Sequence, residues 1–222
     1  MADYQVRFQT ITVGSTDYLI RSLLDNQQFS DPLGEAEKLG ISSAGWSLFG
    51  QVWPSARVLA KMMDGFNLAG KRVLEIGAGL GLASLVVHKR LGDMTASDRH
   101  PLSRSFLEEN LLLNHLGPMA YQQGNWDEEN PALGKFDLII GSDVLYERDQ
   151  PAVLAAFIDR HSADGVEVLI VDPNRGNRPA FRRAMAGLGY LYNETSADCT
   201  FADGEDYKGH FLHFHRGAKL VA

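Results

Sequence analysis

From residue 72 to residue 171, short apolar runs alternate with stretches of helical periodicity. No other feature limits the fold as much. Strands separated by helices pair parallel, and the helices must then cover both faces of the sheet. Strands are expected at 72–76, 94–97, 119–122, 136–141 and 166–171, with helices at 80–90, 101–114, 150–161 and 178–188. Two further strands, 190–195 and 208–215, have no helix between them and should pair antiparallel across the connection 197–207. The expected class is α/β: a doubly wound, mainly parallel, seven-stranded Rossmann-like sheet with an antiparallel last strand.

Ahead of the sheet, residues 4–13 alternate, Gly14 and Ser15 make a turn, and 17–24 return as the second strand of a hairpin. Residues 25–50 are rich in Asn, Gln, Ser, Gly and Pro, and read as irregular with a short helix at 33–39. A loop that long is generally a lid or a substrate-binding segment. Pro54 opens a helix that carries Val58, Leu59, Met62 and Met63 and ends near Gly65. No linker or repeat interrupts the 222 residues. A single domain is expected, with hairpin and lid over 1–50 and a core over 51–222.

Charge and cysteine use narrow the function classes. A net charge of −7 argues against long nucleic acids as the main partner. The lone cysteine, Cys199, excludes an intramolecular disulfide framework and a multi-cysteine zinc site, and suits a reducing cytoplasm. The start, MADYQVRFQT, has no apolar signal core, and no stretch approaches the roughly 20 apolar residues of a membrane helix. A cytoplasmic protein without a membrane partner is expected.

The run VLEIGAGLG, residues 73–81, leads a strand into a glycine-rich turn before a helix. Such a turn lets a ligand approach the backbone while the helix N-terminus lends its amides. The dinucleotide fingerprint is G-x-G-x-x-G; here the glycines are Gly77, Gly79 and Gly81, and Leu82 stands where the third fingerprint glycine would be. Glu75, two residues before the first glycine, is a poor neighbour for a pyrophosphate and a good one for the cationic amino-acid end of S-adenosylmethionine. Asp98 follows at the end of the next strand, where a carboxylate can accept both ribose hydroxyls, as in NAD enzymes also. Together these features favour S-adenosylmethionine over NAD. The plain alternative is a tight turn with Glu75 ion-paired to a nearby lysine or arginine.

Over residues 50–170 the sequence resembles the seven-strand class I methyltransferases. VWPSARVLA (52–60), GKRVLEIGAGLGLAS, ASDRHPLSRSFLEENLLLN, the pair Asn125–Trp126 and FDLIIGSDVLYE make it similar to the protein lysine methyltransferase family, and within it to a bacterial branch often labelled nicotinamide N-methyltransferase-like. The resemblance implies S-adenosylmethionine as cofactor and a protein lysine as methyl acceptor, with a small amine or pyridine as the other acceptor class. Trp53 and Trp126 match positions that line the family's cofactor pocket, and Asn125 stands where the family has an acidic residue. Asp143, Val144, Leu145 and Tyr146 match its Asp-x-x-Tyr motif. The cofactor set is then Trp53, Glu75, Gly77, Gly79, Gly81, Asp98, Arg99, Asn125, Trp126, Ser142 and Asp143, and the catalytic pair Asp143 and Tyr146.

A lysine amine arrives protonated and must lose its proton before it attacks. A carboxylate and a phenol at the cavity mouth can orient the ammonium, and aromatic walls can stabilise it. Asp143, at the C-terminal end of a central strand, is therefore assigned to the substrate amine or the methionine end, and Tyr146 to the channel rim. The plain alternative is a helix cap with Tyr146 packed on the next helix. In VDPNRGN (171–177), Asp172, Asn174 and Arg175 either face the substrate, with Arg175 holding a carboxylate, or belong to a solvated turn. His213 and His215 share a strand face near His210 but lack a convincing third ligand, so no metal is expected. Two rivals remain: a cofactor-binding protein without catalysis, and an NAD oxidoreductase, disfavoured by Leu82 and by the lack of a Tyr-x-x-x-Lys pair.

Overall fold

The computed structural model describes residues 4–217; the ends of the expected 1–222 span, 1–3 and 218–222, lie outside the described residues. The chain opens with the expected hairpin, β1 (Val6–Val13) and β2 (Thr16–Leu23), in antiparallel register from Val6↔Leu23 to Val13↔Thr16. Its turn needs Gly14 at φ 60°, a conformation that costs glycine little.

Residues 25–50 are more ordered than the irregular reading. The helix α1 (Glu35–Lys38) falls inside the expected 33–39, but α2 (Ser43–Trp46) and the 3-10 turn Ser47–Gly50 follow where no helix was expected. The Ser42 hydroxyl accepts from the Gly45 amide at 3.1 Å, and the Ser47 hydroxyl donates to the Asn26 carbonyl at 2.6 Å. Trp46, 1% exposed, packs among Tyr4, Phe29, Phe49 and His100. Tertiary burial of that ring orders a segment whose local propensity is weak. The next helix, α3 (Pro54–Gly65), keeps the expected bounds and buries Val58, Leu59, Ala60 and Met63.

The alternating part follows as β3 (Arg72–Ile76), α4 (Leu82–Lys89), β4 (Asp93–Asp98), α5 (Ser103–Leu113), β5 (Ala120–Gln123), β6 (Phe136–Ser142), α6 (Pro151–His161), β7 (Ser162–Asp172), α7 (Arg178–Gly187) and β8 (Leu191–Ser196). A small hairpin, β9 (Cys199–Thr200) with β10 (Asp206–Tyr207), fills the expected connection before β11 (His210–His215). Seven strands form one sheet in the order β5-β4-β3-β6-β7-β11-β8. β3 to β7 pair parallel, and β11 runs antiparallel to both β7 and β8, as expected of the last strand.

Successive residues of each strand feed opposite faces. Val73, Leu138, Ile140 and Val171 join the cluster under α3 and α4, while Leu74, Ile76, Ile139 and Ile170 join the cluster under α6 and α7. The N-terminal hairpin is tied to this body by two asparagines one helical turn apart, Asn110 in α5 and Asn114 capping its C-terminus. Asn110 accepts from the Arg21 amide at 2.7 Å, and Asn114 accepts from the Leu19 amide at 2.9 Å and donates to the Leu19 carbonyl at 2.8 Å. Their side-chain amides thus substitute for a neighbouring strand.

Candidate active site

Strand order turns back between β3 and β6, and a cavity of about 350 Å³ opens there at the carboxyl ends of the strands. Doubly wound sheets bind ligands at this switch point, and small-molecule sites span roughly 300–1,000 Å³. The cavity wall includes Trp53, Gly77, Gly79, Gly81, Asp98, Arg99, Asn125, Trp126, Ser142, Asp143 and Tyr146. The structure therefore brings together every expected site residue except Glu75.

The loop between β3 and α4 is pressed between the lid and the core. Gly77, Gly79 and Gly81 have φ of 58°, 54° and 74°, in the left-handed region. A Cβ on Gly79 would stand 2.8 Å from the Phe49 carbonyl oxygen, and one on Gly77 2.9 Å from Val144. Conformation and space both demand glycine here. Asp98 closes the arrangement from β4: its Oδ2 accepts from the Gly79 amide and its Oδ1 from the His100 amide, each at 2.8 Å. Burial pushes this carboxyl up, and the His100 and Gly79 amides pull it back.

Glu75, expected in the cofactor set, does not line the cavity. It sits on the face of β3 that packs on α4, is 2% exposed, and its Oε2 accepts from both the amide and the hydroxyl of Ser84. Among the described residues no lysine or arginine pairs with it. It ties down the first turn of α4, whose unpaired amides need an acceptor. Burial raises its carboxyl to about 7, against the Ser84 hydrogen bonds.

His100 is a cavity residue that the sequence reading passed over. It stacks on Phe49 with ring centroids 3.7 Å apart, its Nδ1 accepts from the Leu102 amide at 3.2 Å, and its Nε2 is buried without a partner among the described residues. Burial lowers its pKa to about 3, so the ring is neutral. Its place directly after Asp98 and Arg99 was the available signal. On the rim, Trp53 donates its indole N–H to the Leu48 carbonyl at 2.8 Å, Arg99 pairs with Glu147 at 2.8 Å, and Asn125 donates to Glu128 at 3.3 Å.

Asp143 is held at φ 53° with its amide donating to the Val171 carbonyl at 2.8 Å. It caps no helix: α6 begins at Pro151, and no side chain caps its start. Tyr146 is 41% exposed and lines the cavity. The Asp143 carboxylate is not free; Arg175 grips it with Nε at 2.8 Å and an η-nitrogen at 2.9 Å. Asp172 does not face the substrate side. It is fully buried, accepts from the Arg175 amide at 2.8 Å, and is raised by burial to about 6. Asn174 bonds His210 at 2.7 Å and Glu167 meets His213 at 3.3 Å. Among the described residues no group of three metal-binding side chains assembles, and no helix is long and apolar enough to cross a membrane.

A profile of the Lysine methyltransferase family matches residues 36–181. The chain belongs to that family. It is 32% identical over 142 residues to the protein N-lysine methyltransferase METTL21A of Danio rerio, covering 60% of this chain and 62% of that protein. It is 32% identical over 135 residues to the electron transfer flavoprotein beta subunit lysine methyltransferase of Rattus norvegicus, covering 59% of this chain and 51% of that protein. The matched stretches thus span less than two thirds of these relatives' lengths. Among solved structures, a putative SAM-dependent methyltransferase from Streptococcus mutans superposes with a TM-score of 0.65 at 13% identity, over 94% of this chain and 55% of that one. The 16S rRNA N2 G1207 methyltransferase of T. Thermophilus, in complex with AdoMet and guanosine, gives 0.63 at 16% identity, over 95% and 50%. At such identities the likeness establishes the Rossmann-like methyltransferase fold of this family member.

Proposed function

We propose that this lysine methyltransferase family member methylates a lysine side chain of a protein with S-adenosylmethionine as donor. The observation that carries the reading is that one cavity joins the glycine loop and Asp98 to Asp143 and Tyr146. The donor set fits the cofactor. The glycines leave a cradle that a Cβ would fill, Asp98 can accept from a ribose diol, Trp53 and Trp126 provide flat apolar walls, and the partnerless Nε2 of His100 offers a polar contact. When bound, S-adenosylmethionine supplies a sulfonium-activated methyl group, so the chain's residues need only align the acceptor and exclude water. Gly77, Gly79 and Gly81 hold the backbone open, Asn125 would meet the adenine, Ser142 and Arg99 complete the wall, and Glu75 fixes α4 from behind. Asp143 and Tyr146 meet the acceptor ammonium and orient it for loss of its proton.

The exposure of Tyr146 (41%) and of the Arg175 side chain (43%) at the mouth supports a macromolecular acceptor over a small enclosed amine. We read residues 1–222 as one catalytic unit, a reading supported by the asparagine ties to the hairpin and by Phe49 against the glycine loop. Cysteine use supports a reducing compartment, the cytoplasm. The test is transfer of labelled methyl to a cell extract, resolved by mass spectrometry. Methyl-lysine in a protein fraction, lost with Asp143→Asn, is the expected result. Label confined to small amines would move the acceptor to the other class, and no label in any fraction would contradict catalysis.

A further inference from the structure

Arg175 reaches back from the loop after β7 and engages both carboxylate oxygens of Asp143, at 2.8 and 2.9 Å. The Asp143 side chain is 11% exposed and that of Arg175 43%, so the guanidinium stands on the solvent side of the carboxylate. Both residues line the cavity. The backbone fixes both ends of the pair. The Asp143 amide donates to the Val171 carbonyl at 2.8 Å, and the Arg175 amide donates to Asp172 Oδ1 at 2.8 Å. Asp143 and Asn174, one in each loop, hold left-handed conformations that non-glycine residues keep only where their surroundings impose them.

We infer that Arg175 is a specificity-determining residue: it fills the cation subsite of Asp143, and an alkylammonium that uses Asp143 must displace it. The inference rests on the proposed use of Asp143 as an ammonium site. A forked guanidinium matches a carboxylate at two points, whereas an ammonium is a compact, strongly hydrated point charge. A lone small amine is therefore a poor competitor. An amine carried on a larger surface brings further contacts to the mouth and can shift the exchange. The apparent affinity for any such cation falls by the fraction of molecules in which Arg175 has let go. Once displaced, the guanidinium has water on its exposed side and Asp172 beside its backbone, so release leaves no buried cation stranded.

The ammonium has two possible sources, the acceptor lysine and the amino-acid end of the cofactor, and binding measurements separate them. The probes are Nα-acetyl-lysine amide, with and without S-adenosylhomocysteine, S-adenosylhomocysteine itself, and 5′-methylthioadenosine, which lacks the amino-acid end. Arg175→Ala should tighten an ammonium-bearing probe by about tenfold or more and leave methylthioadenosine unchanged. Arg175→Lys should fall between, and Asp143→Asn added to Arg175→Ala should abolish the gain. A gain for acetyl-lysine amide identifies the acceptor's ammonium, and one for S-adenosylhomocysteine the cofactor's. Unchanged or weaker binding of both probes to a folded Arg175→Ala protein overturns the inference. Failure of either nucleoside to bind wild type would count against the cofactor reading alone, because the acetyl-lysine amide titration without nucleoside still decides the role of Arg175.

Discussion

At the glycine-loop end of the cavity the fixed contacts are backbone amides on buried carboxylates: Gly79 and His100 on Asp98, Ser84 on Glu75. At the Asp143 end they are charged side chains on one another, an exposed Arg175 on Asp143 and a half-buried pair, Arg99 on Glu147. The first kind of contact is rigid, because nothing in it can rotate away without unpairing a buried group. The second kind can exchange partners, because water replaces what the guanidinium leaves. On the proposed function, one end is shaped in advance for a ligand that every turnover shares, and the other must admit and release an acceptor.

Substitutions at the rigid end should therefore change stability, in either direction, and those at the exchangeable end should cost turnover. The largest effect is expected from Gly79→Ala, which sets a Cβ 2.8 Å from the Phe49 carbonyl at φ 54°. Left-handed backbone and overpacking together should destabilise by roughly 2–5 kcal/mol, read by denaturant unfolding. Next is Glu75→Gln. The Glu75 carboxyl is raised from 4.5 to about 7, chiefly by burial, so its ionisation opposes folding. The stability present below pH 4.5 is lost as pH rises through 7, by up to about 3 kcal/mol. A glutamine can still accept from Ser84, so the variant should gain on wild type by up to that amount between pH 4.5 and 8 in denaturant unfolding. A constant difference across that range would show that Glu75 ionises without cost. The smallest stability effect belongs to Tyr146→Phe, within about 0.5 kcal/mol because the residue is exposed, while methyl transfer to the acceptor should fall about tenfold or more. Equal losses of stability and transfer would erase the contrast between the two ends.

Much of this was legible in the sequence for a physical reason. The strand–helix alternation, the glycine spacing and Asp98 act through contacts close in sequence, such as Gly79 to Asp98 at a separation of 19 residues, and periodicity registers them directly. The direction of Glu75 was misread because strand parity, which turns it onto α4, was not weighed against the charge of a ligand. The partner of Asp143 lies 32 residues away in a loop with no periodicity, so Arg175 stood between a hand for a substrate carboxylate and a solvated turn, when it holds the protein's own carboxylate. The helix at Ser43–Trp46 was hidden because Trp46 is ordered by rings from distant segments. His100 was hidden in plain order, next to two residues already assigned.

The central claim is that the rigid end of the cavity is a site for S-adenosylmethionine. Calorimetric titration of wild type and Asp98→Ala with S-adenosylmethionine and S-adenosylhomocysteine, with NAD as control, tests it most directly. Removing the carboxylate frees the Gly79 and His100 amides and deletes the diol acceptor, so micromolar binding of the methionine-derived pair should weaken by about 100-fold or more in the variant. Binding of NAD alone, or no binding of either methionine-derived ligand to wild type, would contradict it.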